Sequence, residues 1–404
     1  MVEQALSDVK VLDLTWYIAG PYCTKLLADY GAEVTKVERP GTGDPARHLG
    51  PFLGDDPHPE RSGLFLHLNT NKQSVTLNLK TEMGRYIFSE LVKDADILVE
   101  SFSPRVMPGL GLDYSTLEKI NPKLVMTYIS NFGQTGPYRD FKASELTIDA
   151  MGHTMITHGL PDREPLKRGE NCLLYQAGLI AAVATMGAFL VSRQQGIGQQ
   201  VDVSLMETQA GNVDYRLQNL VCYSYSGYET PRVDIRLAGL SILPYGVYPC
   251  KDGAVQFIFH PPWRARFCQM VGMSEAEFKE RFPDELDFSR KDELTAIFLN
   301  WTMQRTKLEV MREAQAARCP GTAVYTPGDL VHDPHFQGRE FWVDLEHPVA
   351  GKLTYPGAPF DSEQIPWKVR LPAPLLGQHN REVYYQKFGY RQDELIRLRE
   401  MGVI

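Results

Sequence analysis

The chain has 404 residues, 43% of them hydrophobic and 23% charged, which fits a globular enzyme long enough for two domains and excludes a disordered or fibrous chain. Its formal charge of −8, with no basic block to offset it, argues against a nucleic-acid partner and requires any anionic ligand to meet a local cluster of cations. Cys23, Cys172, Cys222, Cys250, Cys268 and Cys319 stand singly, without zinc, redox or iron–sulfur spacing, and read as reduced thiols of a cytoplasmic protein.

No basic or apolar secretory pattern is visible in residues 1–8. Residues 9–15 read as a strand entering the core. Pro21 then opens an amphipathic helix with Cys23, Leu26, Leu27 and Tyr30 at helical spacing, and Gly31 closes it. A strand at 33–38 completes a βαβ unit. The alternation continues with a strand at 74–79, a helix at about 81–93, and strands at 96–100 and 124–130. This predicts an α/β fold with a doubly wound, mostly parallel sheet and helices on both faces.

Residues 173–191 come nearest to a membrane span, but Gln176, Thr185 and many small residues favour a buried core helix, and no membrane role is expected. Residues 200–205 alternate as a strand and 206–224 read as helical. A hairpin follows at 245–250 and 254–259 around Lys251-Asp-Gly253, then helices to about residue 317. The last part is punctuated by Pro and Gly, with short strands near 342–345 and 351–355 and a helix near 391–401. The implied domains are a large α/β domain over 1–224, a small α+β domain over 225–326, and a segment over 327–404 that returns to the large domain. No internal repeat or low-complexity tract interrupts them.

The first βα turn, Thr15-Trp-Tyr-Ile-Ala-Gly-Pro21, is not a G-x-G-x-x-G loop, and Gly109-Leu-Gly111 lacks a third glycine, so no NAD site is expected. There is no G-x-S-x-G elbow. His332-x-x-His335 falls in a turn set by Pro334 without a third ligand, so no metal is expected. Lys36, Arg39, Arg47 and Lys72 lie near strand ends. Taken singly they suit a solvated face, but their shared position points to a phosphate site.

These segments together resemble the class III coenzyme A transferases. The matching residues include Val11-Leu-Asp-Leu-Thr15, Ala19-Gly-Pro21, residues 32–41, Gly43-Asp44, Asn71-Lys72, residues 129–137, residues 196–207, Asp333-Pro334 and Pro372-Ala-Pro-Leu-Leu-Gly377. The resemblance implies a CoA-binding large domain, an interlocked linked-ring dimer, acyl-CoA as substrate, and a site that includes Ile18, Ala19, Lys36, Arg39, Arg47, Lys72 and Arg105. It also implies an aspartate nucleophile that becomes acylated by the donor and then carries CoA as a thioester.

That aspartate stands four residues before the glycine matching Gly178, where this chain has Leu174. No catalytic residue is therefore expected at the usual position, with Glu170 and Asp149 as fallback carboxylates. The histidine of the racemase branch aligns near Ala143, with His153 well beyond it. The chain further departs from the family at Pro104-Arg105, at Gly109 where arginine is usual, and at residues 236–244, a reduced form of the glycine-rich loop over the acyl site. Tyr17, Ile18, Tyr215, Tyr223 and Tyr225 lie in segments expected near the acyl group. The resulting expectation is the nucleophile-lacking subunit of a heteromeric transferase of the succinyl-CoA:benzylsuccinate type, partnered by a paralogous aspartate-bearing chain. The alternatives are a CoA-ester lyase, hydratase or isomerase using Asp149, Glu170 or His153, and a structural subunit that binds no CoA.

Overall fold

The computed structural model describes residues 4–212, 218–229, 232 and 242–404. Tyr215 and most of the shortened loop, residues 236–241, lie outside them. The larger unit contains 1–156, 167–228 and 338–404, and the smaller one 157–166 and 229–337. The small unit thus runs to residue 337 rather than 326 and takes in a short earlier segment.

In chain order the larger unit has β1 (Lys10–Leu14), α1 (Ala19–Asp29), β2 (Glu33–Glu38), α2 (Gly63–Leu68), β3 (Lys72–Thr76), α3 (Glu82–Lys93), β4 (Ile97–Glu100), α4 (Val106–Gly109) and α5 (Tyr114–Ile120). Then come β5 (Val125–Ser130), α6 (Glu145–Met151), α7 (Cys172–Gln195), β6 (Gln199–Ser204), α8 (Leu205–Asn212) and α9 (Gln218–Ser226). The six strands form one parallel sheet in the order β3-β2-β1-β4-β5-β6. The doubly wound prediction holds. β3 begins at Lys72, two residues before the predicted start.

Alternate residues of β1 feed opposite cores. Leu12 and Leu14 join the cluster with Phe88, Leu91, Leu98 and Met126, whereas Val11, with Val9 just before the strand, packs with Leu27, Ala177 and Ala181 of α1 and α7. This two-sided burial explains strands that read as continuous apolar runs. The chain after residue 338 covers the β3 edge: His379 N donates to Ser74 O at 2.9 Å, Asn380 Oδ1 accepts from Thr76 N at 2.8 Å, and the Tyr384 hydroxyl donates to Thr76 O at 3.0 Å. The open edge is thereby removed.

Helix α7 departs from the expected core helix. One face packs on α1 and the sheet, but Leu179, Val183, Leu190 and Val191 are exposed. The smaller unit has its own core around Phe257, Phe267, Phe298 and Trp301, with an antiparallel sheet of β7 (Tyr245–Cys250), β8 (Gly253–Ile258) and β9 (Gly321–Ala323). A further hairpin, β10 (Trp342–His347) and β11 (Gly351–Pro356), belongs to the larger unit.

Candidate functional site

The strand order reverses between β1 and β4, where successive crossovers leave in opposite directions and open a crevice at the strands' carboxyl ends. A cleft of about 990 Å³ occupies that point, with all its walls from the larger unit. Residues 16–20 after β1, 101–105 after β4 and 129–131 at the end of β5 form its floor. Residues 139–145, Leu174 of α7 and Leu205 of α8 complete it.

The turn after β1 is held from three sides. Lys36 Nζ donates to Thr15 O at 2.7 Å, Trp16 N donates to Ser101 Oγ at 2.9 Å, and Tyr17 N donates to Asp44 Oδ1 at 3.1 Å. Tyr17 has φ +65°, a left-handed conformation that costs a non-glycine residue about 1–2 kcal/mol. Next to it, a Cβ on Gly20 would stand 2.3 Å from Thr15 Cβ, so only glycine allows the helix to start so close to the strand.

The predicted phosphate site is corrected by burial. Lys36, Arg47 and Lys72 are enclosed in the fold and fully engaged there. Lys36 pairs with Asp44 at 2.9 Å, and Lys72 pairs with Asp13 at 3.0 Å while donating to Pro21 O and Asn69 Oδ1 at 2.9 Å. Arg47 binds both oxygens of Glu38 at 2.8 and 2.9 Å, reaches Glu60 at 2.6 Å, and lies over the Phe65 ring. Burial would raise the Asp13 pKa, but Lys36 and Lys72 with the Thr15 and Thr24 hydroxyls outweigh it and hold the carboxyl at about 2. Burial dominates at Lys72, with the charge of Lys36 adding, and lowers it to about 8. These cations neutralise internal carboxylates and have no surface to offer a ligand.

Ile18, Ala19 and Arg105 do line the cleft. Arg105 makes two hydrogen bonds to Asp140, at 2.9 and 2.6 Å, and Arg39 is exposed and stacks on Trp16 with its guanidinium 4.1 Å from the ring centre. Sequence reasoning overlooked Arg139, Lys142 and Glu145, which also line it. The available signal was two cations and a carboxylate just after Gly136-Pro137 and before a helix start. Glu145 opens α6 and pairs with Lys167 at 3.0 Å.

The positions that the family resemblance assigned to nucleophile and histidine come together here, as Leu174 and Ala143. The fallback groups do not join them. Asp149 is buried, pairs with Arg168 at 3.3 Å and accepts from the Thr154 hydroxyl at 2.5 Å. Glu170 is exposed in the loop before α7, and His153 is not part of the cleft wall. Tyr223 and Tyr225 are exposed on α9, away from the cleft lining.

A mostly apolar crevice at a doubly wound switch point, with a cationic rim and the start of α1 in its lining, suits a thioester whose polar carrier lies along the rim. The sequence profile of CoA-transferase family III matches residues 6–380, and the chain belongs to that family. It is 32% identical over 99% of its length to the succinyl-CoA–D-citramalate CoA-transferase of Chloroflexus aurantiacus, covering 98% of that protein. It is 31% identical, with the same coverage of each chain, to the succinyl-CoA:(R)-benzylsuccinate CoA-transferase subunit BbsE of Thauera aromatica. Among solved structures, a CAIB/BAIF family protein from Brucella suis superposes with a TM-score of 0.84 at 28% identity, covering 95% of this chain and 99% of that one.

Proposed function

We propose that this chain is the partner subunit of a cytoplasmic heteromeric CoA-transferase, which moves CoA from a donor thioester such as succinyl-CoA to a carboxylic acid of the aryl-succinate kind. The observation that carries the reading is Leu174 in the cleft wall. A leucine has no lone pair to attack a thioester, so the carboxylate that becomes the acyl anhydride and then the enzyme thioester comes from a paralogous, aspartate-bearing chain. This chain contributes a thioester cleft and half of the assembly. The exposed apolar row Leu179, Val183 and Leu190 on α7 is the face that the partner covers. The names of the succinyl-CoA-dependent relatives, one of them a subunit, support the donor and the heteromer.

The roles of this chain's own residues follow from their chemistry. The Arg105, Arg139 and Lys142 rim attracts the anionic carrier, the apolar floor receives the acyl group, and Lys167 holds the Glu145 side chain in place through its ion pair. The test is transferase activity with succinyl-CoA and a panel of dicarboxylates, for this chain alone and co-expressed with its aspartate-bearing paralogue, with Leu174→Asp as a control. Activity confined to the mixture supports the reading. Activity of the unmodified chain alone overturns it.

A further inference from the structure

Tyr17 is an exposed aromatic residue held in a conformation that an L side chain resists. Its φ is +65° and its exposure 49%. The strain is imposed by the three side chains that clamp the turn: Lys36 on Thr15 O, Ser101 on Trp16 N and Asp44 on Tyr17 N. Asp44 is itself buried and fixed by Lys36 through its second oxygen. A turn that needed only this path would be served better by glycine, so backbone strain here must be balanced by what the side chain does.

The neighbourhood shows what that is. Trp16 is covered by the Arg39 guanidinium, 4.1 Å from the ring centre, and meets Phe102 edge to face at 4.9 Å. Phe141, packed with Tyr138 at 5.0 Å, adds a ring on the rim, and Leu174 makes the central wall apolar. The cleft lining thus includes the side chains of Trp16, Tyr17, Phe102 and Phe141, aromatic surface that a flat apolar group can cover and a short polar acyl group leaves wet.

Building on the proposed transferase role, we infer that Tyr17 is a specificity-determining residue and that the cleft selects thioesters whose acyl part carries an aromatic ring. The chemical class is an aryl-substituted acyl-CoA, with its ring against Tyr17 and its carrier toward the Arg105 and Arg139 rim.

The test is equilibrium binding, which needs no partner and no turnover. Calorimetric titration of the full chain with acetyl-CoA and phenylacetyl-CoA should show the aryl thioester binding about tenfold more tightly. Tyr17→Phe should keep that preference. Tyr17→Gly should erase it while raising the melting temperature by about 2 °C through release of strain, which separates lost recognition from lost folding. Equal binding of the two thioesters by the wild type, or an aryl preference that persists in Tyr17→Gly, overturns the inference and leaves the transferase reading standing. Binding of neither thioester overturns the CoA site itself and the inference with it.

Discussion

Arg47 illustrates how a cation that looks like a ligand group in the sequence becomes part of the fold. Its guanidinium satisfies Glu38, Glu60 and the Pro374 carbonyl while lying on Phe65. Arg47→Met would leave Glu38 buried without its ion-pair partner, a loss of about 3–5 kcal/mol, to be read as a fall in urea unfolding stability. A change confined to ligand affinity would contradict this role. Glu100 presents the opposite electrostatic case. Burial, with the nearby charge of Asp202 adding, pushes its carboxyl up to about 8. An acid whose pKa rises on folding stabilises the fold fully below its ordinary value of 4.5, and that contribution is lost as pH climbs toward about 8. Glu100→Gln should therefore flatten the decline in unfolding free energy between pH 5 and pH 9, and parallel profiles for the two proteins would refute the assignment. Both side chains were visible as charges in the sequence. Their partners were not, because Glu38 and Asp202 reach them only through chain folding and strand pairing.

Helices α1 and α7 pack on each other, and both contribute to the cleft lining. A Cβ on Gly178 would stand 2.4 Å from Ala19 O and 3.2 Å from Tyr22 Cβ, so glycine permits the two helices to meet. Ala19 and Leu174 lie on the cleft, one on each helix. Gly178→Val should push the helices apart, cost about 1–3 kcal/mol of stability, and weaken thioester binding in the same variant; thermal melting and calorimetry measure the two effects. The existence of α7 was legible, since residues 172–195 are mostly apolar and free of proline. Which of its sides faces out was not. A helix apolar all round carries no periodicity to mark the outer face, and packing against α1 and β5 decides it.

For the molecule as a whole, the same helix predicts assembly. With Leu179, Val183 and Leu190 exposed on the outer side, Val183→Glu should place a charge in the proposed partner contact and shift the species seen by light scattering on a sizing column from an assembly toward the single chain. Identical masses for wild type and variant would remove this face from the interface. The C-terminal segment is also held by long-range contacts: Val383, Tyr384, Leu395 and Ile404 complete the core on one side of the sheet. A chain ending at residue 376 should lose cooperative unfolding, measured by circular dichroism on heating.

The sequence by itself determined the alternation of strands and helices that makes a doubly wound sheet, and the family. All of these are written locally, in hydrophobic period, turn residues and short motifs. Tertiary structure alone decided which cations are free and which carboxylates reach the cleft. It withdrew Lys36, Arg47 and Lys72 into internal pairs, placed Asp149 against Arg168, and brought Glu145, Arg139 and Lys142 to the rim. Charge is a property of a residue, but its availability depends on burial and on partners tens to hundreds of positions away, which only the closed fold brings within bonding distance.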